Sequence, residues 1–335
     1  MRTTHTAAES AQGRPETLVS PLPEIDQLDL PAGIPFTRAM AIGYGIGPNV
    51  LTRLVRQGVL RRVLRGVYVD NAVPDGIGLR SQAISLAIPS DAIVTDSTAA
   101  WLYGADVRPR GAHLREPEVH CFRPPGRSRV RRPSVNGGER TLSERDIQIV
   151  HGITVTSPLR TACDLGRLMA RDDAIGALDA MLRHGNFDQQ ELIGEVRRFR
   201  GYRGVVQLRE LVRWADGTSE SMGESTLRLR WIDEGLPSPE LQIVVSPTGR
   251  WQRYRLDLGI RRVRYAAEYD GDDWHSTEEQ VAADRARDED LAADGWIVDH
   301  FRRGEVYHSR ANVVGNQLRA GLRRAARRSG SAAGR

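Results

Sequence analysis

The chain has 335 residues, which is too long for one small domain and predicts two or three domains of roughly 100 to 200 residues each. No apolar run approaches the ~18 residues needed to cross a bilayer, and the polar start lacks a signal core, so we expect a cytoplasmic protein with no membrane partner. The net charge is +5, every basic residue is an arginine, and the two distant cysteines indicate neither a zinc site nor a disulfide framework.

The first folded region is predicted at residues 35–75, after a polar, proline-containing segment at residues 1–34 that we expect to be disordered. The sequence FTRAMAIGYG predicts a short helix, and a second helix is predicted to begin at Pro48 and to end at Gly58. The sequence VLRRVLRGVYVD then predicts two strands joined by a turn at Arg65. Two helices followed by a two-stranded hairpin are typical of a winged helix-turn-helix.

Five arginines lie on the second helix and the hairpin of this region: Arg53, Arg56, Arg61, Arg62 and Arg65. Arginines on a recognition helix and its wing can contact the phosphate backbone of DNA, so we predict that these side chains bind DNA. The region resembles the N-terminal domain of AbiEi-type antitoxins. The alternative is a helix pair that docks on another protein.

Residues 76–215 are predicted to form a mixed α+β middle domain. Its strands are predicted at residues 117–122, 129–135 and 148–155. In TSPLRTACDL, Ser157 is a good N-cap and Pro158 occupies the first turn of a helix. This part resembles the region that follows the winged helix in AbiEi-like proteins. Asp164 and Asp179 are interpreted as hydrogen-bonding or capping groups, because no nucleophile with an adjacent base is present.

Residues 219–325 are predicted to form a third domain with the order helix, strand, strand, strand, helix, strand, followed by a flexible tail at residues 326–335. Glu268 and Asp270 share one face of a strand, because side chains alternate along it. If the strand of Asp257 pairs with theirs, three carboxylates meet, and carboxylates bind Mg²⁺ or Mn²⁺. Such a site suits phosphodiester hydrolysis. The alternative is a set of solvated acids at strand ends.

The motifs EYDGDDWH and DRARDEDLAADGW, with Glu224 on the preceding helix, carry a further resemblance. Residues 219–325 resemble the very-short-patch-repair-like group of restriction-endonuclease-like domains, a branch of the PD-(D/E)XK nuclease superfamily. The resemblance implies that Asp257 and Glu268 are metal ligands. Asp270 stands where the superfamily has a lysine.

Because the chain contains no lysine, charge stabilisation of the scissile phosphate falls to a metal, to His275 or to an arginine such as Arg285. His275 is interpreted either as a general acid or base or as the cap of the next helix. Glu224 is interpreted either as a carboxylate of the metal site or as the partner of Arg228 in an i,i+4 ion pair.

We therefore predict a multidomain α+β and α/β protein that binds DNA and carries a metal-dependent endonuclease domain, acting in repair or defence. The predicted catalytic residues are Glu224, Asp257, Glu268, Asp270 and His275, and the predicted DNA-binding residues are the five N-terminal arginines with Arg285. The alternative is a non-catalytic AbiEi-like antitoxin and transcriptional repressor, whose nuclease-like domain only binds DNA or a partner. Besides DNA, a cognate toxin or a second copy of the chain is the expected partner.

Overall fold

The structure, a computed structural model, describes residues 33–107, 118–132, 134–249, 251–271, 278–307 and 311–332. The described residues contain a three-stranded, a five-stranded and a four-stranded sheet, which follow one another along the chain. No helix among the described residues is long and apolar enough to cross a membrane.

The N-terminal part contains the two predicted helices and the predicted hairpin. Its elements are β1 (Phe36–Thr37), α1 (Arg38–Gly43), α2 (Pro48–Arg56), β2 (Leu60–Leu64) and β3 (Val67–Asp70). The strand order is β1-β3-β2, and both pairings are antiparallel. Gly66 has a φ of 78°, which lets the hairpin turn between β2 and β3 form without steric strain. Leu51 and Leu54 of α2 pack on Leu60 of the hairpin and on Phe36.

The middle part is built on the five-stranded sheet, with strand order β6-β5-β4-β8-β7. In chain order it contains α3 (Ile77–Ala87), β4 (Ile93–Val94), α4 (Asp96–Leu102), β5 (Val119–Arg123), β6 (Val135–Glu139), β7 (Ile147–Val150), β8 (Ile153–Thr156), α5 (Pro158–Leu168), α6 (Arg171–His184), α7 (Gln189–Glu195) and α8 (Val205–Leu211). Single 3-10 turns lie at Glu144–Asp146 and Val196–Phe199. As predicted, the Ser157 side chain caps α5 by accepting a hydrogen bond from the Arg160 amide.

Two strand predictions in the middle part are wrong. Residues 148–155 form two strands rather than one, because His151 and Gly152 adopt φ values of 46° and 79° and turn the chain back on itself. The strand predicted at residues 129–135 lies instead at Val135–Glu139, where it pairs in parallel with β5. The sequence VNGGE has no alternation of apolar residues that would predict a strand. The position of this strand is instead set by its pairing with β5, which is distant in sequence.

The C-terminal part has the predicted order of elements. It contains α9 (Met222–Asp233), β9 (Glu240–Val245), β10 (Tyr254–Ile260), β11 (Tyr265–Asp270), α10 (Glu278–Ala293), β12 (Ile297–Arg302), α11 (Arg303–Val306) and α12 (Ala311–Ala332). The strand order is β12-β11-β10-β9, with β11 and β12 parallel and the other neighbours antiparallel. Helix α12 continues past residue 326, where the sequence predicted a flexible tail.

Packing joins these parts to one another. The inner side chains of the hairpin, including Val63 and Val69, belong to the same apolar core as α3 and the middle sheet. Helix α9 packs along α6, and Arg228 Nη2 of α9 lies 2.6 Å from Asp179 Oδ2 of α6. Both side chains are buried, so this ion pair fixes the C-terminal part against the middle part.

Candidate nucleic-acid interface and carboxylate centre

The five N-terminal arginines differ in what they contact. Arg61 donates to the Val73 carbonyl at 2.9 Å, and Arg65 donates to Ser134 Oγ of the middle part at 3.3 Å. Arg62 is exposed and lies over the Tyr68 ring at 5.7 Å. Arg61 therefore also holds the loop that follows the hairpin, and Arg65 also holds the hairpin against the middle part.

Arg53 and Arg56 lie three residues apart in the last turn of α2, so they share one face of that helix. Arg56 is exposed and Arg53 is half-buried. Among the described residues, neither side chain has a hydrogen-bond or ion-pair partner, and the Arg53 Nε is buried without an acceptor. Both guanidinium groups therefore have donors left for an external acceptor.

A second group of charges lies inside the middle part, around the TSPLRTACDL helix. The buried Asp164 carboxylate accepts from Arg140 Nη1 at 2.7 Å, from Arg160 Nε at 2.8 Å and from Arg167 Nε at 2.8 Å. Asp179 accepts from the Asp216 amide and from Arg228. The interpretation of Asp164 and Asp179 as hydrogen-bonding groups is confirmed.

Asp146 extends this group of charges. Its oxygens lie 2.8 Å from Arg198 Nη1 and 3.2 Å from Arg160 Nη1, and it also accepts from Ser143. Burial acts to raise the pKa of Asp146, but the hydrogen bonds from Arg198 and Ser143 outweigh it and lower the pKa to about 2. We call Asp96, Asp146, Asp164, Arg140, Arg160, Arg167 and Arg198 the middle charge cluster.

The acids of the C-terminal part form a different site, which we call the carboxylate centre: Glu224, Asp257, Glu268 and Asp270. The register that pairs Leu258 with Ala267 places Asp257 beside Glu268 on neighbouring strands. Burial raises the pKa of Asp257 to about 7, and the charges of Glu224 and Glu268 act in the same direction, against a hydrogen bond from the Tyr269 amide. The predicted approach of Asp257 to Glu268 is therefore present.

Gln242 is a member of this site that the sequence gave no reason to select. It lies between the paired residues of β9 and β10 and adopts a φ of 48°, which is unusual for a residue other than glycine. Its Nε2 donates to Glu224 Oε2 at 2.9 Å, while its Oε1 is buried without a partner among the described residues. Such local strain is often found at functional sites.

Arg287 of α10 determines whether the carboxylate centre fits a metal ion. Its Nη1 donates to Glu268 Oε2 at 2.7 Å, and its Nη2 donates to Glu268 Oε1 and to the Arg255 carbonyl. As the side chains lie, the described residues contain no group of three His, Cys, Asp or Glu residues that could hold a metal ion. In this arrangement a guanidinium group takes up both oxygens of Glu268, so the predicted binding of Mg²⁺ or Mn²⁺ would require Arg287 to move away.

Asp270 lies at the edge of the carboxylate centre, next to a histidine that the sequence analysis also missed. His300 Nδ1 lies 3.1 Å from Asp270 Oδ1, and His300 Nε2 lies 3.4 Å from Asp288 Oδ1. The hydrogen bond to Asp270 raises the pKa of His300 to about 9, against the effect of burial. Asp270 is therefore paired with a cationic imidazole.

Three further residues were predicted for this site: Arg285, Glu224 and His275. Arg285 was expected near the acids, but it is exposed and pairs with Glu289 at 3.0 Å, so Arg287 holds the expected place. The prediction of a Glu224–Arg228 ion pair is wrong, because Arg228 pairs with Asp179, while Glu224 accepts hydrogen bonds from Gln242 and the Glu220 amide. His275 lies outside the described residues.

The first two parts of the chain are similar to known protein families. Residues 33–69 match the family described as transcriptional regulator, AbiEi antitoxin, and residues 92–214 match the AbiEi antitoxin C-terminal domain. These two matches agree with the resemblance to AbiEi-type antitoxins described in the sequence analysis. Neither match extends beyond residue 214, and the likeness of residues 219–325 to the very-short-patch-repair-like group stays a prediction.

Two proteins of Mycobacterium tuberculosis match a larger share of the chain. They are the uncharacterized protein MT2308 of strain CDC 1551 / Oshkosh and the uncharacterized protein Rv2248 of strain H37Rv, each 35% identical over 255 residues. The alignments cover 74% of this chain and 89% of each relative. This chain belongs to their family. The names of these relatives assign no activity.

Proposed function

We propose that this chain is a DNA-binding transcriptional regulator of the AbiEi antitoxin type, with a toxin as its protein partner. The observation that carries the proposal is the coincidence of two features in one region. The transcriptional-regulator match spans the residues that form α1, α2 and the hairpin, and the last turn of α2 carries Arg53 and Arg56, whose guanidinium groups have no partner among the described residues.

The geometry supports contact with a phosphate backbone. Arg53 and Arg56 project from one face of α2, and Arg62 is exposed on the hairpin that follows it. Arginine donors fit phosphate oxygens, and a helix with an adjacent hairpin is the arrangement that winged helix-turn-helix domains place on DNA. Arg61 and Arg65 contribute by fixing the hairpin, since both hold other parts of the protein.

The proposal is tested with duplex DNA from the region upstream of the chain's own gene and with unrelated DNA of equal length. We expect tighter binding to the upstream DNA, and weaker binding of the Arg56→Gln variant to both. Arg209→Gln is the matched control, because Arg209 is an exposed arginine on α8 of the middle part. No binding by the wild type, or equal losses in the two variants, would argue against a regulator that uses α2.

The carboxylate centre supports a second candidate function, hydrolysis of DNA phosphodiester bonds with Mg²⁺ or Mn²⁺. The supporting observation is the approach of Glu224, Asp257 and Glu268 in a partly buried site, which raises the pKa of Asp257. This function requires Arg287 to release Glu268. Under this proposal, Asp270 and His300 flank the acids, and His275 keeps its predicted role as a proton donor or acceptor.

Metal binding can be measured without relying on activity. We expect Mn²⁺ to raise the melting temperature of Arg287→Ala more than that of the wild type, and to have no such effect on Asp257→Asn. Plasmid nicking by the same proteins then tests catalysis. If Mn²⁺ stabilises neither the wild type nor Arg287→Ala, the hydrolytic proposal fails while the regulator proposal stands.

A further inference from the structure

A cavity of about 850 Å³ lies where the middle part meets the C-terminal part. One wall comes from residues between α6 and α9, including Trp214, and the other comes from α9 and the segment leading into β9, including Leu236. Ligand sites commonly have volumes of about 300–1,000 Å³ and often lie at such junctions. The cavity is separate from the carboxylate centre and from the arginines of α2.

Polar and apolar surface contribute equally to the lining, and the apolar part suits a flat hydrophobic body. Leu182, Ile232, Leu236 and Leu241 contribute aliphatic surface. Trp214 is 44% exposed and offers an aromatic ring, which stacks well on planar groups.

The polar lining is unevenly satisfied. Asp188 accepts a hydrogen bond from the Glu191 amide, and Asp216 accepts one from the Thr218 amide, so both acids already have a donor. Arg228 is only 4% exposed and uses Nη2 for Asp179 and Nη1 for the Trp214 carbonyl. Its Nε is buried and has no hydrogen-bond partner among the described residues.

A buried donor without an acceptor is rare in native proteins and costs free energy. Arg228 lines the cavity and the exposed Arg213 also lines it, so two guanidinium groups lie beside a ligand bound there. The donors therefore favour an anionic acceptor, and the apolar walls favour an aromatic body.

We propose that this cavity binds a small planar aromatic carboxylate, with its ring against Trp214 and Leu236 and its carboxylate toward Arg228 and Arg213. The site goes beyond DNA binding, because it would give the regulator a small-molecule ligand. Since both parts of the chain form its walls, the ligand stabilises their junction when it binds.

The test uses 2-naphthoate as the probe and 2-naphthalenemethanol as its uncharged counterpart, titrated into the full chain by calorimetry. We expect one naphthoate per chain and about tenfold weaker binding of the alcohol, because it lacks the charge-assisted hydrogen bond. Trp214→Ala should weaken naphthoate binding about three- to tenfold through loss of the aromatic contact.

Ser238→Trp fills the cavity mouth and should abolish binding, since Ser238 is an exposed lining residue. Val206→Trp is the matched control, because Val206 is 76% exposed on α8 and does not line the cavity. The proposal is overturned if naphthoate does not bind saturably, if acid and alcohol bind equally, or if Ser238→Trp binds like the wild type. DNA binding by α2 is measured separately, so these results do not depend on the proposed function.

Discussion

The middle charge cluster and the carboxylate centre are both partly buried groups of charged side chains, but cations outnumber acids in the first and acids outnumber cations in the second. In the middle charge cluster, three acids meet four arginines: Asp96, Asp146 and Asp164 with Arg140, Arg160, Arg167 and Arg198. In the carboxylate centre, Arg287 is bonded to Glu268 and the cationic His300 to Asp270, while Asp257 accepts its hydrogen bond from the Tyr269 amide and has no cationic partner among the described residues. The pKa of Asp146 is lowered to about 2, whereas that of Asp257 is raised to about 7.

The difference distinguishes structure from potential function. An acid that is paired with several buried arginines compensates their charges, so removing it is strongly destabilising. A buried acid with too few cations nearby is held in an unfavourable environment, and such environments are concentrated at functional sites. By this criterion, the charges on the TSPLRTACDL helix are structural, whereas the carboxylate centre has the imbalance of charge that is typical of functional sites.

The largest expected effect comes from breaking the middle charge cluster at Asp164. Asp164→Asn leaves three guanidinium groups without their shared carboxylate and should lower the free energy of unfolding by about 3–5 kcal/mol. Urea unfolding measures the loss. Asp75→Asn, at the surface ion pair with Arg80, is the control and should change little. Equal losses in the two variants would contradict the structural assignment.

A smaller effect of opposite sign is expected in the carboxylate centre. Asp257→Asn removes a buried charge next to Glu224 and Glu268, so it should raise the free energy of unfolding at pH 8 by on the order of 1–3 kcal/mol. The Tyr269 amide can still donate to the side-chain carbonyl oxygen that this substitution retains. A loss of stability in the same urea experiment would mean that Asp257 is as well matched as Asp164.

The comparison also predicts a difference at acid pH. Because the folded-state pKa of Asp146 is below its ordinary value of ~3.9, its contribution to stability is present above about pH 4 and is lost as the pH falls through about 2. As the pH is lowered from about 4 to about 2, the free energy of unfolding should therefore fall less steeply in Asp146→Asn than in the wild type. Identical slopes would show that the hydrogen bonds from Arg198 and Ser143 do not perturb Asp146.

The smallest effect is expected at Arg285. This side chain is 81% exposed and pairs only with Glu289 on the same helix, so Arg285→Ala should change stability by about 0.3–0.5 kcal/mol at most. Arg287→Ala should have the larger effect on stability, because Glu268 is buried and loses both of its donors. If Arg285→Ala lowers the melting temperature more than Arg287→Ala does, the assignment of Arg287 to the carboxylate centre is wrong.

The sequence predicted the elements of the C-terminal part and the approach of Asp257 to Glu268, because strand alternation and a short hairpin are local properties. It could not distinguish Arg285 from Arg287, since both belong to one helical run and only packing determines which one faces the sheet. His300 comes beside Glu268 through the parallel pairing of β11 and β12, which no local pattern encodes. Gln242 depends on a left-handed backbone position within a strand, which residue type does not predict.

The proposed DNA binding is tested most directly by the salt dependence of duplex binding in the presence of EDTA, for the wild type and for Arg56→Ala. Each phosphate contact contributes about one unit to the slope of the logarithm of the binding constant against the logarithm of the salt concentration. We predict metal-independent binding by the wild type and a slope shallower by about one unit in Arg56→Ala. Absence of binding, or an unchanged slope, would contradict a DNA-binding regulator that uses α2.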